Sequence, residues 1–148
     1  MSSEMETFPI QKLTFYVTQD VDDSVRSVVR ELIEKLSTTR EWLLGPPKFI
    51  DTIDYPENRE VDLPIETVGG VLKIYSALTS TPLPRELDIK NYYEVVAVVE
   101  AVQKISGPKN FDFDFELDGN FVGSIGDGVI DKTMQVGLLN AWREHLGI

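Results

Sequence analysis

The chain has 148 residues, 42% of them hydrophobic and 26% charged, and carries a formal net charge of −11 from 25 acids and 14 bases. That is the length and composition of one ordinary globular domain, too apolar for a disordered chain and large enough to fold without a metal or a disulfide. The acidity argues against nucleic acid and anionic membranes as partners, because both are bound through Lys and Arg clusters; the absence of cysteine removes disulfides, thiol nucleophiles, Cys-type zinc sites and iron–sulfur clusters.

Residues 1–7 are expected to be a disordered tail, and residues 8–148 a single domain. The tail carries two acids and no apolar stretch, unlike a secretory signal. No apolar run approaches the ~20 residues that span a bilayer. With the missing cysteines, this gives the expectation of a cytoplasmic protein. Leu13 to Thr18 is rich in β-branched and aromatic residues and predicts a strand. Asp20, Asp22 and Asp23 supply capping and first-turn acids for a helix over residues 22–37. Val21, Val25, Val28, Val29, Leu32, Ile33 and Leu36 recur at helical spacing, which places Arg26, Arg30, Glu34 and Lys35 in water.

Residues 48–55 predict a strand and Pro56-Glu57-Asn58 a turn. Gly69-Gly70 separates two apolar runs, 65–68 and 71–77, and reads as the tight turn of a hairpin. Residues 79–88 hold Pro82 and Pro84 and read as a loop. Residues 89–105 form a Val-rich, largely buried helix stopped by Gly107-Pro108, with Glu94, Glu100, Gln103 and Lys104 as its main polar positions. Phe111 to Leu117 alternates apolar and acidic residues, the period of a half-buried strand. Asp118-Gly119 turns it back into residues 120–125. Gly126-Asp127-Gly128 is a loop, after which Asp131 or Thr133 caps a helix to about Leu146. Met134, Leu138, Ala141, Trp142 and His145 are expected on one side of that helix, with Gly137 allowing close packing on the sheet. Hairpins interspersed with about three helices define a two-layer α+β fold on an antiparallel sheet.

The charge is confined. Residues 51–66 hold six acids (Asp51, Asp54, Glu57, Glu60, Asp62, Glu66) against Arg59 alone, and residues 112–131 hold six (Asp112, Asp114, Glu116, Asp118, Asp127, Asp131) with no base. These two segments account for the whole net charge. On a strand, Asp112, Asp114 and Glu116 line the face opposite the phenylalanines, ~6–7 Å apart. One reading is a solvated face that aids solubility and blunts an edge strand. Another is an electrostatic docking face for a basic partner. A third is a hard-cation site. The EF-hand pattern fails, because Ile125 stands where the bidentate Glu belongs and the acids lie on a strand.

Signals for catalysis are sparse. His145 is the single histidine. Ser124 in Val122-Gly123-Ser124-Ile125-Gly126 partly matches G-x-S-x-G, but Val122 replaces the first glycine. Gly123, Gly126 and Gly128 do not give a dinucleotide fingerprint, and no P-loop lysine follows. Two carboxylates meeting in a glycosidase-like cleft would need acids that a flat sheet face does not bring together. Trp42 and Trp142 read as packing residues.

The stretch FDFDFELDGNFVGSIGDGVID followed by TMQVGLLNAWREHL, residues 111–131 and 133–146, pairs an acidic hairpin with a Trp-bearing terminal helix. Over about residues 109–146 this layout resembles the small acidic immunity proteins that bacteria encode beside polymorphic or contact-dependent toxins. The resemblance implies tight binding that blocks a toxin, often a basic nuclease, by clustered carboxylates. The expected function is thus non-enzymatic protein binding to a basic partner, without cofactor or metal. Asp112, Asp114, Glu116 and Asp118 are first-choice contacts, and Asp51, Asp54, Glu57 and Glu60 second. The alternatives are a small-molecule-binding domain or small enzyme, with a pocket between sheet and helices near Tyr92, Tyr93 and Trp142, and a self-associating module.

Overall fold

The computed structural model describes residues 8–55, 64–76 and 82–148. Strand β1 (Ile10–Val17) leads into helix α1 (Asp23–Ser37), then β2 (Lys48–Asp54), β3 (Ile65–Tyr75) and helix α2 (Arg85–Lys109). Strands β4 (Phe113–Leu117), β5 (Asn120–Gly126) and β6 (Val129–Ile130) follow. The last helix has three consecutive parts, α3 (Lys132–Met134), a π-helical stretch (Gln135–Asn140) and α4 (Ala141–Leu146). The strands form one antiparallel sheet in the order β2-β3-β1-β4-β5-β6. The helices pack on one side of it, as expected for a two-layer α+β fold. No helix among the described residues is long and apolar enough to cross a membrane.

Paired residues on antiparallel strands share a face, so the register defines both sides of the sheet. Leu13, Phe15 and Val17 of β1 stand beside Leu72, Gly70, Phe115 and Phe113. These side chains meet Val25, Val29, Ile33 and Leu36 of α1 and Val95, Val98, Val99 and Val102 of α2 in one core. The Phe15 and Phe115 rings stack at 5.6 Å. Helix α1 starts where its acids predict: the Val25 N–H donates to Asp22 at 2.9 Å. Its apolar stripe is the expected one. Arg26, however, is not left to water. Its guanidinium bridges to Asp51 on β2 and Glu66 on β3 and tethers the helix to the sheet edge.

Gly69-Gly70 is not a hairpin turn. Both glycines lie inside the continuous strand β3, Gly69 opposite Tyr16 and Ile50, Gly70 opposite Phe15 and Phe49. Neither has a positive φ. What they supply is clearance. A Cβ on Gly69 would overlap the Phe15 carbonyl, and one on Gly70 would lie 2.6 Å from Phe15 Cζ and 2.7 Å from Ile33 Cδ1. The turn expected at 56–58 and the first part of the loop expected at 79–88 lie outside the described residues, as does the tail.

Helix α2 starts at Arg85, four residues before the expected boundary, directly after Pro84. It also runs through Gly107-Pro108. A proline crowds the Cβ of the residue before it, and Gly107 has none. The helix ends at Asn110, which adopts the left-handed conformation at φ 58°. The Asn110 N–H reaches back to the Gly107 carbonyl and the Phe111 N–H to that of Ser106, closing a Schellman motif. Only one side of α2 is buried; Lys90, Tyr93, Glu100 and Lys104 are exposed.

Asp118 (φ 50°) and Gly119 (φ 84°) form the expected tight turn. Asp127 (φ 52°) and Gly128 (φ 74°) form a second one where a loop was expected, and pair Gly126 with Val129. Asp131 caps the last helix through the Met134 N–H at 2.9 Å. The π-helical stretch adds a residue to one turn and rotates everything after it. The buried side is therefore Met134, Leu139 and Leu146, flanked by Leu138 and Trp142, while Ala141 and His145 are exposed. Gly137 also faces outward, with nothing within 4 Å of an added Cβ.

Candidate functional site

The side of the sheet opposite the helices is not covered by any described element. One row across it reads Ile50, Gly69, Tyr16, Asp114 and Ser124; the next reads Lys48, Val71, Thr14, Glu116 and Phe121. Phe113 and Phe115 are fully buried on the helix side, so Asp114 and Glu116 point outward, as the alternation predicts. A β-bulge between Phe115 and Glu116 brings Phe121 opposite Glu116, where its ring is 53% exposed.

Each acid of β4 is held in place. The Ser124 hydroxyl donates to Asp114 at 2.6 Å and the Tyr16 hydroxyl to Glu116 at 2.6 Å. The Lys12 N–H donates to Asp118 at 2.8 Å. Asp112 is exposed, its backbone carbonyl taken by the Thr18 N–H. A carboxylate that already accepts one bond keeps lone pairs for a second donor, so these contacts orient the acids without using them up. Asp118 is set apart from the others, because Lys12 and Lys73 face each other on the neighbouring strands.

The negative potential is felt by Tyr16. Its hydroxyl is pushed up to about 12, first by the bond to Glu116, then by burial, then by the charges of Glu116 and Asp114. A phenol raised in the folded state gives stability that is complete below its ordinary value of 10.0 and is lost as pH rises from there towards 12. In an alkaline spectrophotometric titration, Tyr16 is expected among the last tyrosines to ionise. Glu116→Gln is expected to return it towards its ordinary range while Tyr92, raised mainly by burial, stays high. Unchanged late ionisation in Glu116→Gln would show that the carboxylate is not the cause.

Among its described residues, the second acidic segment is divided between the two faces of the sheet. Asp51 shares the helix-bearing face with Val68 and is neutralised by Arg26 at 3.2 Å. Asp54 is exposed opposite Ile65, on the open face with Ile50 but on the edge strand β2. Three strand spacings, ~14 Å, separate β2 from β4. Glu57 and Glu60 lie outside the described residues. Among the described residues, Asp112, Asp114 and Glu116 stand together, with Asp118 at one end and Asp54 at the far edge of the sheet. Ser124 sits on this open face and His145 on the helix layer, so the two do not form a catalytic pair.

Of the space expected as a pocket near Tyr92, Tyr93 and Trp142, part is filled by rings, and a cleft of about 220 Å³ remains beside Trp142, between Ile74, Tyr75 and Leu117 of the sheet and Leu138 of the last helix. Tyr92 is buried and packs edge-on against Tyr93 (5.3 Å) and Trp142 (5.4 Å). The Trp142 indole N–H donates to Asp88 at 2.7 Å. Tyr93 turns to a separate cleft of about 490 Å³ between the α1–β2 loop and the outer side of α2. Trp42 and Glu94, read from the sequence as a packing residue and a polar helix position, line that cleft. Glu94 is only 3% exposed. It accepts the Leu43 N–H at 2.7 Å, while its other oxygen and the Trp42 indole N–H are buried without a partner. Burial raises the Glu94 carboxyl above its ordinary value, against the opposing pull of the Leu43 N–H and the Arg40 charge. Among the described residues, no group of three or more His, Asp or Glu side chains could hold a metal ion.

Comparison with known families, with curated proteins and with solved structures finds no match to this chain.

Proposed function

We propose that the chain is a non-enzymatic, cytoplasmic protein-binding module that docks a basic partner on the open face of its sheet. One observation carries this reading. Asp114 and Glu116 stand side by side on an uncovered face, each oriented by a neighbouring hydroxyl. Oriented charge guides encounter and fixes register, and exposed Phe121 beside it, with half-buried Val71 and Ile50 farther across the same face, supplies apolar area for the contact. The resemblance of residues 109–146 to bacterial immunity proteins gives the partner its class, a toxin with a basic cleft.

Capture from native lysate at low and at moderate salt tests the reading, with Asp112/Asp114/Glu116→Asn/Asn/Gln as the comparison. The expected result is a basic protein retained by the wild type at low salt and released from the variant. Loss of three negative charges is expected to slow association on the order of tenfold at low salt. A partner held equally by both proteins, with the same salt dependence, would return the acids to a solvating role.

A further inference from the structure

We propose that the cleft between the α1–β2 loop and α2 binds a small anionic heteroaromatic molecule of the nucleoside-monophosphate class. This site lies in the helix layer and is independent of the docking face. Its volume, about 490 Å³, is in the range of small-molecule sites, roughly 300–1,000 Å³.

Four features of the lining define the ligand. The rings of Trp42 and Tyr93 border the cleft and offer faces for a planar base. Tyr93 is 48% exposed. Arg40 and Lys90 also border it, beside the acids Glu41 and Glu94, and neither cation has an ion-pair partner among the described residues. Two unpaired cations at one opening suit a phosphate. Finally, two lining residues each carry a buried polar atom without a partner, the Trp42 indole N–H and an oxygen of Glu94. Buried polar atoms are nearly always hydrogen-bonded, so such an orphaned pair calls for a group that fills it. The edge of a nucleobase presents an acceptor and a donor side by side.

Other ligands fit less well. A purely apolar molecule leaves both polar atoms unpaired. Entry also has a mechanism. The Arg40 guanidinium rests 5.7 Å over the Trp42 ring. Turning it from the ring to the phosphate uncovers the indole face.

The test is a calorimetric titration of the full chain with the 5′-monophosphates of adenosine, guanosine, cytidine and uridine, beside adenosine, guanosine and inorganic phosphate alone. Saturable binding of at least one nucleotide is expected, ~tenfold tighter than its nucleoside or phosphate. Arg40→Ala/Lys90→Ala, at surface positions, is expected to weaken that nucleotide ~tenfold or more with an unchanged melting temperature. Trp42→Phe keeps the ring, removes the N–H donor, and is expected to change which base is preferred. The proposal is overturned if no nucleotide binds up to about 1 mM, if nucleosides bind as tightly as nucleotides, or if the Arg40/Lys90 variant binds as the wild type does.

Discussion

Gly69→Ala is expected to destabilise the fold by about 3 kcal/mol, the upper end of the usual cost of overpacking. For a chain of this size that lowers the melting temperature by roughly 10 °C. The reason is backbone, not side chain. The added methyl overlaps the Phe15 carbonyl and lies 2.7 Å from the Tyr16 Cα, and neither can move aside by changing rotamer. Strand β3 would have to part from β1, one of the two central strands of the sheet. Thermal unfolding followed by circular dichroism reads the effect. A loss of less than about 1 kcal/mol, the ordinary scale of a glycine replaced in a strand or loop, would mean that β3 is not seated against Phe15. The hairpin reading of Gly69-Gly70 would then return.

Phe15→Ala is expected to cost 3–5 kcal/mol, on the order found for buried aromatic truncations. Phe15 is fully buried, stacks on Phe115, and touches Phe113 at a ring separation of 6.5 Å. It is also the main obstacle to a side chain at Gly70. The two positions are therefore coupled. Gly70→Ala alone is expected to destabilise by ~1–3 kcal/mol through overpacking. In the Phe15→Ala background that penalty is expected to shrink by ~1–2 kcal/mol, the size of coupling typical of residues in contact. Ile33 Cδ1 remains close to the added methyl, so the rescue stays partial. Urea denaturation of the four proteins completes the cycle, and strict additivity would show that Phe15 and Gly70 do not meet.

The same glycines mark where the sequence was legible and where it was not. Periods that a segment carries within itself were readable. Helix α1 and strand β4 have the expected inward and outward sides, because burial of one face alone sets those patterns. Gly69-Gly70 has local turn chemistry, but its demand comes from Phe15, more than fifty residues away. The end of the last helix misled for a related reason. Spacing alone assumes an unbroken helix, and one extra residue in the π-helical turn moves burial from His145 to Leu146. The second tight turn, Asp127-Gly128, repeats the chemistry of Asp118-Gly119, but its partner strand β6 is two residues long and carries no period.

The candidate surface was legible to a similar degree. Asp114 and Glu116 project as expected. Asp51 does not, because Arg26, 25 residues earlier, captures it on the other side of the sheet. Confinement of charge along the chain is thus not confinement in space. The cleft by α2 gave no advance sign, since neither Trp42 nor Glu94 is unusual until packing leaves polar atoms of both without partners.

The strand order bears on how the chain acquires its shape during synthesis. β1 sits between β3 and β4, and Tyr16 waits for a residue 100 positions later to complete its contact. At about 5–20 residues per second, that interval is roughly 5–20 s. For that time the strand destined for the centre of the sheet has at least one open edge, and its core side carries Leu13, Phe15 and Val17. Pairings this distant in sequence also make folding slow in isolation. A nascent chain of this topology depends on something keeping β1 from pairing with other chains until β4 has emerged.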